Sequence, residues 1–388
     1  MALKQVVRWM RSMTRPMPGA GGMEVDVLTT VPPRTVPGAR TGVCAFVGAF
    51  SHGPTGKAAT VASLFEFERD FGGAQGLGEA PQAVSQFFIN GGCEALLVRT
   101  PSNSHASLDE GLNVLAASRA DGFDLLCVPD AAHVADRAVP LYEKALAVCR
   151  LHRATLLVDQ PPGLAGDTEM AEWLRQAAPL RSPDAALYYP RLRLDNGADA
   201  GPGGSIAGII ARFGRERGVW KAPAGPGATI SGASLDMAVT AQRQEVLNPQ
   251  GINVIRAMGS AGPLVWGSRT LSVEPEWRHL AVRRTVLFLE RSLRQGLEWT
   301  AHEPNNEPLW EGIRASADGF LEELWRAGAL MGAAPREAWF VQCGRQTTTD
   351  ANIRQGQISV VIGFAPIRPG EFLTFRLALN AAPPPIRC

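Results

Sequence analysis

Apolar and polar residues change rhythm twice along the chain, and the changes divide it into three regions. Between about residues 41 and 200, short and nearly continuous apolar runs recur at 42–49 (GVCAFVGA), 95–99 (ALLVR), 123–129 (FDLLCVP), 155–159 (TLLVD) and 185–189 (AALYY). Runs of that length without alternation are what strands covered on both faces require. Amphipathic stretches at 63–71, 80–89, 108–118, 136–151 and 167–178 separate them and predict helices. Strands alternating with helices predict a mainly parallel sheet covered by helices, an α/β domain over 41–200.

The flanking regions read differently. In residues 1–40 the segment Met23, Glu24, Val25, Asp26, Val27, Leu28 alternates apolar with acidic positions, the period-2 mark of a half-buried strand. Gly and Pro fence it on both sides (PMPGAGG before, VPPRTVPG after), so it has to pair with something distant or with another chain. Residues 1–40 are therefore an arm. Region 201–388 opens loop-rich (GPGGSIAGII, VWKAPAGPGATISGA) and continues through two strand-like runs at 252–257 and 264–266. Two strong helices follow, one from Pro275 to a stop at Gly296, the other from an Asn306–Pro308 cap to about Gly328, with Leu309, Ile313, Phe320, Leu321 and Leu324 at helical spacing. Strand patterns at 338–342, 358–364 and 372–379 complete an α+β domain. The expected architecture is α/β plus α+β, two domains with extended terminal arms.

Composition narrows the function classes. The chain has 388 residues and a formal net charge of +1, so no long-range pull on nucleic acid or anionic lipid is expected. No stretch reaches the ~18 uninterrupted apolar residues of a membrane span, and the N-terminus lacks the apolar core of a secretory signal. Six singly scattered cysteines without a CxxC pair read as buried small hydrophobes in a reducing cytoplasm. Gly and Pro together make up roughly 18% of the chain against an average of about 12%. The chain needs many turns, arms or close backbone approaches.

Candidate chemistry is sparse. GPTGKA at 53–58 lacks the upstream Gly and the Ser or Thr after Lys57 that a phosphate loop needs, and reads as a surface turn. Six histidines show no HxxxH or HxH spacing for a metal. Cys149 and His152 share a helix face at i, i+3, a spacing commoner in cores than in catalytic dyads. Asp130 and Asp159 follow apolar strands, where α/β sheets bind ligands, and support an alternative reading as an α/β, hydrolase-like enzyme. Their bland role is Asx-type capping.

The stretch VEPEWRHLAVRRTVLFLERSLRQGLEWTAHEPNNEPLWEGIRASADGFLEELWRAGALMGA resembles the C-terminal domain of contractile tail sheath proteins, as found in contractile phage tails and related injection particles. RGVWKAPAG, LNPQGINVIR, VWGSRTL, AWFVQC and APIRPGEFLTFRL are similar in the same order, and VPPRTVPGARTGVCAFVG, FERDFGG and QFFINGG resemble the family's opening. The similarity covers nearly all of residues 14–379. The first dozen residues extend beyond the family's usual start, and the resemblance assigns no role to the APPPIRC tail.

The resemblance implies a structural polymer without cofactor, metal or catalysis, made in the cytoplasm and assembled into a tail-like particle. Its partners would be other copies of itself, an inner tube protein, a baseplate and a terminal cap, with no nucleic acid and no membrane insertion. Rings of such subunits surround the tube and switch from an extended to a contracted lattice. The family likeness further implies inter-subunit strand donation by Met23–Leu28 and by Phe372, Leu373, Thr374, Phe375, Arg376 and Leu377. It also implies that the helix over 309–328 faces the tube, with Arg314 and Arg326 as candidate polar contacts.

Overall fold

The computed structural model describes residues 32–118, 122–134, 137–164, 166–257, 262–367 and 372–382. The alternating segment 23–28, expected as a strand, and the end of the chain past Ala382 lie outside them.

The order of elements is β1 (Val43–Gly48), β2 (Ala58–Val61), α1 (Leu64–Phe71), α2 (Ala80–Ile89), β3 (Glu94–Arg99), α3 (His105–Ala116), β4 (Leu125–Cys127), α4 (Ala138–His152), β5 (Thr155–Val158), α5 (Asp167–Gln176) and β6 (Ala185–Tyr189). There follow β7 (Leu192–Leu194), β8 (Asp199–Ala200), α6 (Gly203–Arg217), β9 (Ala233–Ser234), α7 (Ala241–Leu247), β10 (Ile252–Ala257) and β11 (Pro263–Val265). The last part holds α8 (Leu280–Gly296), α9 (Glu307–Arg326), β12 (Trp339–Cys343), β13 (Gln357–Phe364) and β14 (Leu373–Asn380).

Eight strands form one sheet in the order β11-β10-β6-β5-β4-β1-β3-β2. Its six central strands run parallel, and β2 and β11 pair antiparallel at the two edges. Every residue of β1, β4, β5 and β6 is buried. Alternation decides which face each side chain enters: Val43, Ala45 and Val47 join Leu108, Leu112, Leu141, Cys149 and Trp173 of α3–α5, while Cys44 and Phe46 join Phe67, Val84, Phe87, Ile206 and Ile210 of α1, α2 and α6. Helix α1 begins where the Ser63 side chain accepts the Glu66 amide, and α9 where Asn306 accepts that of Leu309.

Three elements depart from the sequence pattern. Segment 58–61, for which the sequence gives no strand pattern, is an edge strand. Strand β10 pairs with β6, so the sheet takes strands from both sides of residue 200. The stretch GPGGSIAGII at 201–210, expected as loop, instead opens a fifteen-residue helix, GGSIAGIIARFGRER. The glycines are there for contact: a Cβ on Gly204 would lie 2.2 Å from the Ala83 carbonyl oxygen, and one on Gly208 2.3 Å from that of Phe87. Helix α6 therefore lies backbone to backbone on α2, and packing overrides its low intrinsic propensity.

The C-terminal sheet is antiparallel, β12-β13-β14, with its inner face against α8 and α9 around Trp310, Ile313, Leu321, Val360 and Ile362. Residues 32–40 lie outside regular elements, with Val36 packed into this same core.

Because Gly208 touches backbone, Gly208→Val is expected to destabilise the chain by at least about 2 kcal/mol through overpacking. Gly214→Ala, where the nearest atom to an added Cβ is 3.8 Å away, should be neutral or stabilising by up to about 1 kcal/mol. Denaturant melts of the two variants check the contrast; equal effects would mean that α6 is not held by that approach.

Candidate functional site

The C-terminal sheet holds the first group of residues that the sequence singled out. Strand β14 alternates Leu373, Phe375, Leu377 and Leu379 inward with Thr374, Arg376, Ala378 and Asn380 outward. It pairs with β13 of its own chain in unbroken register from Gln357↔Asn380 to Phe364↔Leu373. Phe372 stands just before it, 44% exposed, its ring stacked 6.0 Å from Phe340 of β12. Among the described residues nothing pairs with the outer edge of β12 or β14 as a strand.

Helix α9 places the two candidate arginines differently. The Arg314 guanidinium donates to the Cys343 carbonyl at the end of β12 and pairs with Glu307 at 3.2 Å, so it ties the helix to its own sheet. Arg326 is exposed and paired with Glu322 one turn back. The rest of the helix's open surface is acidic, with Glu307, Glu311, Asp318 and Glu323 exposed.

A third arrangement joins the two halves of the chain. Helix α8 crosses the amino ends of β4, β5 and β6, and the residues just before those strands meet it with charge. Arg284 Nη2 lies 3.3 Å from Asp124 Oδ2, Arg283 Nε 2.7 Å from Asp184 Oδ1, and Glu290 Oε2 3.3 Å from Arg153 Nε. Asp124 also accepts the Val43 amide through Oδ1 at 2.8 Å, so one carboxylate links β1, β4 and α8. Arg284 is 4% exposed. Sequence reasoning passed over this row because its partners are separated by about a hundred residues or more, with no local spacing to mark them.

At the opposite, carboxyl ends of the strands the structure brings Asp130 and Asp159 together with Glu79, His133 and Arg191. Asp130 Oδ1 accepts the Glu79 amide at 2.6 Å and Asp159 Oδ1 that of Gly203 at 2.8 Å. Glu79 accepts from His133, Arg191 and the Gly201 amide. Burial pushes Asp130 up to about 6, and burial with the neighbouring Glu79 charge pushes Asp159 up to about 7. Burial also works against Glu79, but the His133 hydrogen bond and the Arg191 charge outweigh it and hold its carboxyl below the usual range. The Glu79 hydrogen bond in turn raises His133. Both aspartates are 1% exposed. A cavity of about 120 Å³ opens beside them, lined by Gln160, Tyr189, Arg191, Asp199, Asp236 and Met237, and neither aspartate lines it. The carboxylates staple loops. Among the described residues no three His, Cys, Asp or Glu side chains gather as metal ligands.

Comparison with known proteins places these features in context. Residues 272–380 match the family model of the phage tail sheath C-terminal domain. A tail sheath protein of Burkholderia phage BcepMu is 29% identical over 143 residues, which are 34% of this chain and 29% of that protein. The sheath complex of an extracellular contractile injection system, PVC, in its contracted state superposes with a TM-score of 0.74 at 28% identity over 92% of this chain and 97% of that one. The contracted helical sheath of the anti-feeding prophage gives 0.72 at 29% identity over 92% and 98%. A sheath tail protein from Listeria innocua shares the fold at 12% identity, TM-score 0.65. The relatives are structural proteins, and the hydrolase-like alternative finds no support among them.

Two tests follow from the charges. Asp130 and Asp159 keep protons in the folded chain over a range where the unfolded chain has released them, and His133 holds its proton more tightly when folded. Each of these contributions is present at low pH and lost as pH rises, Asp130 toward 6, Asp159 toward 7 and His133 through its raised value. Thermal stability is therefore expected to fall between pH 5 and pH 8, and Asp159→Asn to flatten that slope; a wild-type curve rising over the interval would refute it. At the other end, Arg284→Met should cost about 3 kcal/mol by leaving the Asp124 carboxylate buried without its cation, and Asp124→Asn in the same chain should recover much of it. Chemical denaturation of the two singles and the double checks the cycle.

Proposed function

We propose that this chain, a member of the contractile tail sheath proteins, is a structural subunit that polymerises with copies of itself into a helical sheath around an inner tube, and that contraction of the sheath drives the tube forward. The observation that carries the reading is the likeness to contracted-sheath subunits over 92% of this chain and nearly all of theirs.

Physical features of the chain suit the role. The ion-paired crossing of α8 makes the α/β sheet and the C-terminal domain one body, so a change of lattice would come from repacking between rigid subunits rather than from refolding within them. Sheath neighbours would be tied by strand exchange. Residues Met23–Leu28 would add to an open edge of a neighbour's C-terminal sheet, each main-chain hydrogen bond contributing about 1 kcal/mol net. Strand β14, closed on its own β13 in the single chain, would make the same pairs with a neighbour's β13 in the lattice, as in a domain swap.

Helix α9 would face the tube. Arg326 remains available for polar contact, whereas Arg314 is committed to its own sheet, and the exposed Glu311, Asp318 and Glu323 favour a tube surface carrying Lys or Arg. A tube protein, a baseplate and a terminal cap complete the expected particle. The near-neutral net charge is what a subunit packed against many copies of itself requires.

Electron microscopy of the chain co-expressed with its genomic neighbours tests the reading, and ordered tubes are the expected result. Removal of residues 1–28 should leave soluble, folded protein that builds no tubes; long ordered tubes from the truncated chain would sink the arm argument.

A further inference from the structure

The first and the last described residues of the chain are both fastened at one place, the ten-residue connector between α8 and α9. On the N-terminal side, the Arg34 guanidinium sits 4.6 Å above the Trp299 ring and 3.6 Å from the Glu303 carboxylate. The Arg34 amide donates to Ser316 Oγ of α9 at 2.8 Å, and that of Ala39 to Ser292 Oγ of α8 at 2.9 Å. Val36 lies between these two points, 3% exposed, so close to Gly296 that a Cβ there would stand 2.6 Å from it. On the C-terminal side, the Ala382 amide donates to the Glu303 carbonyl at 2.9 Å and the Asn305 amide to the Ala382 carbonyl at 3.2 Å. Thr300 Oγ1 donates to the Asn380 carbonyl at 2.9 Å.

The connector is itself fastened inside the body. Asn305 is 3% exposed, accepts the Trp310 indole N–H at 2.8 Å and donates to the Gln357 carbonyl at 3.1 Å. Thr300 is 1% exposed. Glu303 thus holds the N-terminal arm with its carboxylate and the C-terminal arm with its main-chain carbonyl.

We infer that residues 297–306 are a load-transfer node where an N-terminal and a C-terminal arm meet, the C-terminal one being the chain's own in the free subunit and a neighbour's once β14 has exchanged. Pull on either arm is received at the connector and passed to the other through Trp299, Glu303 and Asn305, without crossing the α/β sheet. The inference rests on the reading that other copies of this chain grip the arms. It assigns Arg34, Trp299, Thr300 and Glu303 as positioning residues whose work lies in coupling rather than in the stability of the core.

The coupling is measurable in the isolated full-length chain by amide hydrogen exchange. Trp299→Ala removes the platform under Arg34, and Arg34→Ala, at a half-exposed residue, is the second variant that spares the core. Each is expected to speed exchange of the Ala382 and Asn305 amides at least about fivefold, while amides of β13 stay protected. In the other direction, Thr300→Val should speed exchange of the Ala39 amide. Exchange at Ala382 unchanged in Arg34→Ala, with the Ala39 amide faster, would show two independent anchorages and overturn the node. The measurement needs no lattice, so that outcome leaves the sheath reading standing; failure of the wild-type chain to build tubes would strike the sheath reading instead.

Discussion

Helix α8 meets the amino ends of three parallel strands through paired charges, and the relation between the two halves of the chain depends on that line of contact. A buried guanidinium or carboxylate is tolerable only with its partner in place, so the pairs Arg284 with Asp124 and Arg283 with Asp184 admit one docking of the helix on the sheet. Hydrophobic contact alone would allow sliding. With α8 fixed, α9 and the C-terminal sheet are fixed too, since all three share one core. The arms then start from defined positions.

The carboxyl ends of the same strands show the complementary economy. In doubly wound sheets this is where ligands enter, and the acidic residues expected there are present. Here Asp130 and Asp159 turn inward onto the Glu79 and Gly203 amides, and Glu79 gathers His133, Arg191 and Gly201. The crevice is filled by its own loops. Low-dielectric surroundings raise the proton affinity of the aspartates, which in another setting would mark a catalytic pair; with both side chains buried and hydrogen-bonded to main chain, it marks tightly closed loops.

Much of this was legible from the order of residues. The buried parallel strands, α8 and α9 announced themselves by period, and α9 by its Asn306 cap as well, whereas α8 starts at Leu280, five residues after the expected Pro275, and keeps Gly296 inside it. Helix α6 did not, because Gly204 and Gly208 serve a neighbour's backbone and weaken the local signal. The charge row at α8 was hidden for a different reason: Asp124 and Arg284 acquire meaning only when the sheet brings them together. Arg314 was singled out as a candidate contact to a tube, and the sequence carries no sign that the Cys343 carbonyl lies within its reach. Residues Met23–Leu28 remain known by their alternation alone.

The closure of β14 on its own chain has a bearing on timing. A free subunit whose last strand has its inward leucines covered and its ladder to β13 complete leaves only the outer edges of β12 and β14 unpaired among the described residues. Like-for-like replacement of one β13 by another offers little driving force by itself. Growth would then wait on a template that holds the incoming copy in place, which sets where a polymer begins and leaves its length to be decided elsewhere.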